Sequence, residues 1–394
     1  MSVESWVYLL SQPLVTFAVV ALILAFVLLL FLTYVDVHYY LQVCRARRAD
    51  DGRERSLAGE PFPPVSLIVY ARDNADFLRR HLPEYFKQDY PDFEVVVVDD
   101  ASTDDTQDLL HLYAQQYPRL YSTYVPLDAC VLSHRKLAIT LGFKAIKTDY
   151  AVVIDARCVP SSSYWLRNMM RRFSDGVDLV MGYTRLDMPS LPETRYWVYD
   201  RMLFAANYLS CALLGAPYMG EGTNVAYRKS LFFDHKGFSR TLKFRFGEDD
   251  LFINETAVAG NSRVEMARDS FVDVRSDDNS PLWSLLKLRY CFTAPYLRHS
   301  HRGLFIGEQW STYLFYVALV VGIVFQPAHP VVWIAALVLL LWRGVMQTKV
   351  YGRMADALEL PRIGLWVLLY EWGRPVVNLY FALLARWRRR ENLM

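Results

Sequence analysis

Two adjacent carboxylates, Asp99 and Asp100, close the apolar run "FEVVVVDD", and a third, Asp155, closes "YAVVID". Carboxylates at the ends of buried strands can accept hydrogen bonds from sugar hydroxyls or from the N–H of a base. The plainer alternative is that they cap the segment "ASTDDT" that follows. A second acidic group, Glu248, Asp249 and Asp250, stands in "GEDDLFINETA", at the start of a helical pattern. A helix N-terminus favours ionised carboxylates, while mutual repulsion can keep one of them a usable base. An isolated "EDD" reads more simply as an acidic first turn. Here it follows "PYMGEGTNVAYRKSLFF", a glycine-punctuated turn into a strand, which weakens that simple account. Arg157 is the odd residue. In "VVIDARCVP" it stands two places after Asp155, where a site for a metal and a phosphate would have another carboxylate.

The elements that must position these groups lie between Pro61 and His301. "VSLIVYA", "FEVVVVDD", "LYSTYV" and "YAVVID" suit buried strands. "ADFLRRHLPEYFKQ", "TDDTQDLLHLYAQQY" and "SHRKLAITLGFKAI" read as the helices between them. Continuous Val/Ile runs alternating with helices predict a mostly parallel sheet covered on both faces, which binds ligands at the carboxyl ends of its strands. Asp99, Asp100 and Asp155 sit at that edge.

Composition narrows the class. The chain has 394 residues, 53% hydrophobic and 15% aromatic, with a formal net charge of +2. That is ample for a core, and too near neutrality for a typical nucleic-acid binder. The five cysteines, Cys44, Cys130, Cys158, Cys211 and Cys291, show no metal-ligand spacing and suggest reduced thiols. From Ser5 to Val35 there is no charged side chain, which exceeds the ~20 residues a membrane-spanning helix needs. A cleaved signal peptide fits less well, since Glu4 replaces a basic start and no small-residue cleavage site follows. "RARRADDGRER" then places the following segment on the cytoplasmic side. A second apolar block, Gln309 to Trp342, reads as a helical hairpin with "QPAHP" at its tip. Its second arm is short unless Arg343 snorkels, so a re-entrant hairpin stays open. "IGLWVLLYEWGRPVVNLYFALLARWRRR" ends on arginines and reads as an interfacial helix.

From Val65 to Arg289 the chain resembles the family-2 glycosyltransferases of the GT-A fold, especially their membrane-associated bacterial members. The resemblance is carried, in order, by "VSLIVYARDNADFL", "QDYPDFEVVVVDDASTDDT", the lysine of "SHRKLA", "IDARCVPSSSYWL", "GEGTNVAYRKSLF" and "GEDDLFIN". It implies an α/β architecture: a Rossmann-like, mostly parallel GT-A domain in the cytoplasm, flanked by N- and C-terminal membrane helices. The implied organisation is an anchor over 1–43, a basic juxtamembrane linker over 44–60, the GT-A domain over 61–301, and a membrane hairpin with interfacial helix over 302–394. The implied activity is inverting transfer of a sugar, hexosyltransferase-like, from a nucleoside diphosphate to an acceptor hydroxyl. By the same resemblance Ala71 and Arg72 line the nucleotide pocket, and Asp99 and Asp100 hold base and ribose. Lys136 and Asp155 sit by ribose and diphosphate. Asp249 is the general base with Glu248 and Asp250 in support, and Gly222 and Asn224 shape the acceptor side. Mg2+ or Mn2+ would be held by carboxylates, Asp155 among them. A UDP-sugar is the first donor expected, and a lipid-linked saccharide, polyprenyl phosphate or glycan the acceptor. The setting implied is multi-pass in a bacterial inner membrane, in cell-envelope glycan or polysaccharide synthesis.

Two departures leave alternatives open. "DAR" stands where the family commonly has carboxylate–x–carboxylate, so Arg157 supplies charge in place of the metal, or points away, or marks a catalytically silent nucleotide-binding scaffold. "WSLLKLRYCF" keeps Lys287, Arg289 and Tyr290 but has Leu286 where a glutamine is expected. Arg289 is then either a grip on acceptor or diphosphate, or an interfacial cation. A processive polysaccharide synthase is the remaining alternative, and it would need more spans to enclose a channel.

Overall fold

The computed structural model describes residues 13–53, 62–129, 131–187, 194–275 and 282–391. Within them the Val/Ile runs become strands as their composition predicts: β1 (Val65–Ala71), β2 (Phe93–Asp99), β3 (Leu120–Tyr124) and β4 (Tyr150–Asp155). Shorter strands follow: β5 (Cys158–Pro160), β6 (Leu179–Met181), β7 (Thr184–Leu186), β8 (Val225–Arg228), β9 (Ser262–Val264) and β10 (Val272–Val274). One seven-stranded sheet runs β3-β2-β1-β4-β8-β6-β9, and a three-stranded sheet runs β5-β10-β7. β1 is parallel to both β2 and β4, with Ala71 opposite Asp99 and Tyr70 opposite Asp155. That register brings Asp99 and Asp155 to one carboxyl edge, with the end of β1 between them. β8 runs antiparallel to β4 and β6, so the sheet is mixed on that side.

Both faces of the central strands are buried, as parallel strands require. Leu67, Val69, Val95, Val97, Val152 and Ile154 share one core with Leu78, Leu82 and Tyr85 of the helix Ala75–Phe86. Ile68 and Val98 point the other way, onto the helix His134–Ala145, where Gly142 permits a close approach. A Cβ on Gly142 would lie 2.6 Å from Ile68 Cγ2. This tight seat fixes the helix whose first turn carries Arg135 and Lys136.

The chain divides into two compact units, Met1–Cys44 with His299–Leu379, and Arg45–Arg298 with Tyr380–Met394. The segment expected as a linker over 44–60 is helical as far as Arg53 and belongs from Arg45 on to the unit that holds the sheets. Asp50 Oδ2 accepts the Met266 N–H at 3.0 Å and pairs with Arg172, and the Arg47 guanidinium lies 5.2 Å from the Phe271 ring. Residues 54–60 lie outside the described residues. The described cysteines, Cys44, Cys158, Cys211 and Cys291, are free thiols, and Cys130 lies outside them.

Among the described residues, three helices are long and apolar enough to cross a membrane, over Leu14–Asp51, Gly303–Phe325 and Pro330–Ala357. The hairpin turns at 326–329, and its second arm continues to Ala357, well beyond Trp342. Arg343 does not snorkel. It is 1% exposed, with Asp36 at 2.7 Å and Glu371 at 2.5 Å, so two carboxylates supply what the interface would have offered. Asp36 opens a π-helical turn, Asp36–Tyr40, which follows the helix Pro13–Val35. The last helix, Trp366–Glu391, runs through Pro375, and its Arg374 reaches Glu308 at 3.1 Å.

Candidate active site

At the edge formed by β1 and β2 the chain takes two unusual turns. Asp73 and Ala101 have φ of 49° and 51°, a left-handed conformation that side chains other than glycine, asparagine and aspartate seldom adopt. The two turns are stitched together: Asp73 Oδ1 accepts the Thr103 N–H at 2.7 Å, and the Asp73 N–H donates to Ser102 Oγ at 2.8 Å. Asp100 is fully buried. Its Oδ2 accepts from the Tyr70 hydroxyl at 2.7 Å and faces Arg72 at 3.4 Å, while Oδ1 meets His134 Nδ1 at 3.1 Å. Asp99 Oδ1 accepts the Ser102 N–H at 3.2 Å. Its Oδ2 is buried with no donor, which is costly unless a ligand hydroxyl or N–H fills it. Ala71 is buried at the end of β1, and Arg72 beside it is half exposed.

Asp155, at the end of β4, lies between two guanidiniums. Arg135 Nη1 donates to its Oδ2 at 2.7 Å; Oδ1 accepts the Arg157 N–H at 3.1 Å and has Arg157 Nε at 3.5 Å. Burial pushes the Asp155 carboxyl up, but Arg135 and Arg157 outweigh it and hold it below the usual carboxylate range. Arg135 also reaches Glu248 Oε1 through Nε at 3.0 Å, and its guanidinium lies 4.4 Å from the Tyr70 ring centroid. One arginine thus joins the carboxyl edge of the sheet to the acidic cluster.

That cluster is built around Asp249. Its Oδ2 has Arg289 Nη2 at 2.8 Å, the Tyr290 hydroxyl at 3.0 Å and the Gly222 N–H at 3.1 Å, and Oδ1 accepts the Asp250 N–H at 2.9 Å. The Gly222 contact needs a glycine, because a Cβ there would lie 2.5 Å from Asp249 Cβ. Burial raises the Asp249 carboxyl, yet the Arg289 charge outweighs it and holds the group well below the usual range. Asp250 moves the other way. It is buried beside the Asp249 charge, with a hydrogen bond from Thr293, and its carboxyl is pushed up. Arg289 Nη2 also lies 3.0 Å from Glu248 Oε1, while Glu248 Oε2 is buried without a donor. Of the two roles open to Arg289, the geometry brings it to these carboxylates.

Two residues singled out from the sequence are engaged elsewhere. Lys136 is 1% exposed, and its ammonium donates to the carbonyls of Thr241, Phe244 and Phe246 at 2.5, 2.8 and 2.8 Å. It clasps the loop that leads into "GEDD". Asn224 lies in the core with its amide fully used: Nδ2 donates to Tyr183 O and Ser270 O, both at 2.9 Å, and Oδ1 accepts from Trp165 Nε1 at 2.9 Å. Arg135, Tyr70 and the buried pair Arg201–Glu221, at 2.6 Å, were not singled out. The aromatic and basic letters of "VYARDN" and "SHRKLA" were the only signal for the first two.

Residues 66–234, which contain the carboxyl edge of the sheet and the Gly222 turn, match the model of glycosyl transferase family 2. Over those residues the chain is similar to the family-2 glycosyltransferases. No curated protein sequence matches the chain. Among solved structures, it is similar to the mannosyltransferase PcManGT of Pyrobaculum calidifontis in complex with GDP-Man and Mn2+, at 18% identity and a TM-score of 0.55, covering 93% of this chain and 99% of that one. It is also similar to S. aureus TarS 1–349 in complex with UDP-GlcNAc, at 14% identity and a TM-score of 0.41, covering 83% and 92%.

A divalent cation at a nucleoside diphosphate needs one or two carboxylates with free oxygens beside the phosphate ligands. Here the donor set does not fit. Both oxygens of Asp155 face arginine N–H groups, and the place of a second carboxylate is held by Arg157. Among the described residues no group of three or more His, Cys, Asp or Glu could hold a metal.

Proposed function

We propose that this chain is a membrane-anchored, inverting glycosyltransferase that moves a sugar from a nucleoside diphosphate to a hydroxyl of a lipid-linked or glycan acceptor. The observation that carries the reading is the chain of contacts from Asp100 through Tyr70 to Arg135, which pairs with both Asp155 and Glu248, and on through Arg289 to Asp249. A nucleotide at one end and an acceptor hydroxyl at the other would then be held with the anomeric carbon between them. The acceptor hydroxyl gives its proton to Asp249 as its oxygen bonds to the anomeric carbon from the face opposite the diphosphate. The carbon–oxygen bond to the diphosphate breaks and the leaving oxygen keeps the electron pair. Asp249 is a weak base while Arg289 holds it, and it becomes a stronger one when that guanidinium is drawn to the diphosphate or an anionic acceptor.

A lipid acceptor is favoured by two features. One is the set of helices long and apolar enough to cross a membrane. The other is a groove of about 550 Å³ between the helix His134–Ala145 and the segment after β8, lined by Leu132, Phe232, Phe233 and Leu242, with Lys144 and Lys236 and no acidic residue. Hydrocarbon against its walls and phosphate at its lysines would suit an anionic isoprenoid or acyl lipid. A UDP-sugar donor, an inner-membrane setting with the domain in the cytoplasm, and a role in envelope glycan synthesis complete the proposal. The test is incubation of the full-length protein in detergent with labelled nucleotide sugars and a membrane lipid extract. Label moving into the organic phase supports the reading, and hydrolysis alone with every donor and acceptor contradicts it.

A further inference from the structure

The transferase reading asks for positive charge at the departing diphosphate, and the donor set at Asp155 does not suit a metal. Three carboxylates, Asp155, Glu248 and Asp249, are interleaved with three guanidiniums, Arg135, Arg157 and Arg289. Arg135 has the central place. It bridges Asp155 at 2.7 Å and Glu248 at 3.0 Å, rests on the Tyr70 ring, and its side chain is 16% exposed. Its position in the first turn of the helix His134–Ala145 adds the positive end of that helix to its own charge. Arg157 flanks the other oxygen of Asp155 and is 37% exposed, open to an incoming anion.

We propose that Arg135, with Arg157 beside it, takes the place of a divalent cation at the donor's diphosphate, so that this chain binds nucleoside diphosphates without metal. The inference rests on the transferase reading and says how that site holds its donor. A dication set among three guanidiniums would meet repulsion from each, with Asp155 already neutralised. A diphosphate meets the opposite situation: the planar, positively charged N–H forks of arginine match phosphate oxygens two at a time. In the transfer step the arginines keep their protons. They receive only the negative charge that collects on the leaving oxygen as its bond to the anomeric carbon breaks, and the acceptor's proton goes to Asp249.

The test is titration of the full-length protein in detergent with UDP and GDP, each compared with its monophosphate, in a chelator and again in Mn2+. The proposal expects at least one diphosphate to bind with the same affinity, within about twofold, in both conditions. Arg135→Met should weaken that diphosphate by about 10- to 100-fold, the span for losing a charged hydrogen bond, and leave the monophosphate within a few-fold. Arg135→Lys should recover part of the loss. If Arg135→Met fails to fold, the parent's chelator arm and the Arg157→Ala titration still decide. Binding that vanishes in chelator and returns with Mn2+ overturns the proposal and leaves the transferase reading standing. Failure of the parent to bind any nucleoside diphosphate in either condition overturns both.

Discussion

Replacing Lys136 with Met separates two roles for one residue. The ammonium donates to three carbonyls at 2.5–2.8 Å and is 1% exposed, so the substitution keeps the shape of the side chain and strips three buried acceptors of their donor. Leaving a buried acceptor unpaired costs about 1–3 kcal/mol. Relief from burying the ammonium offsets part of the sum, because burial already pulls the Lys136 group down to about 8. A net loss of about 2–4 kcal/mol remains. For a domain of this size that lowers the midpoint of thermal unfolding by roughly 5–15 °C. The loop 241–246 leads into Glu248 and Asp249, so turnover should fall with it, while nucleotide affinity stays within about twofold of the parent. Thermal unfolding and nucleotide titration on the same preparation read both quantities. An unchanged midpoint with a tenfold loss of nucleotide affinity would refute the clasp and return Lys136 to the donor site.

Arg289→Met should remove the charge that depresses Asp249, so its carboxyl rises and the acidic limb of turnover moves to higher pH, readable in a pH–rate profile. In the parent, the stability from that depressed carboxyl is present above the unfolded value of ~3.9 and is lost as pH falls through the folded one, which thermal unfolding against pH would follow. Gly222→Ala should impair turnover more than nucleotide binding, since a Cβ there collides with Asp249; equal activity would contradict the close approach. Arg343→Met should destabilise the helical unit by about 3–5 kcal/mol by stranding Asp36 and Glu371, and adding Asp36→Asn with Glu371→Gln should recover much of it, as measured by yield and thermal stability in detergent. A cysteine at Ala328 should react with an impermeant thiol reagent on intact cells while Cys44 does not, if the hairpin tip lies outside.

The parallel core was legible because its signal is local: an unbroken Val/Ile run has few options other than a buried strand, and a terminal carboxylate then falls at the ligand-binding edge. The sheet of β5, β7 and β10 was not, since strands of three residues carry no readable alternation. Nor were the jobs of Arg135 and Lys136. Neighbours on a helix point about 100° apart, so one reaches Asp155 and the other the loop 241–246, and nothing in "SHRKLA" says which does which. Asn224 misleads for a related reason: its motif lies beside the site, while its side chain turns inward to Trp165. The sequence around Arg343 shows only the membrane, because its partners Asp36 and Glu371 are remote along the chain.

The central claim is that Asp249 takes the acceptor's proton. Its most direct test pairs turnover with nucleotide titration on Asp249→Asn, an isosteric change that keeps room for the Gly222 and Tyr290 contacts. Transfer should fall by at least ~100-fold, the usual contribution of a general base, with nucleoside diphosphate affinity nearly that of the parent. Near-normal transfer by Asp249→Asn would contradict it.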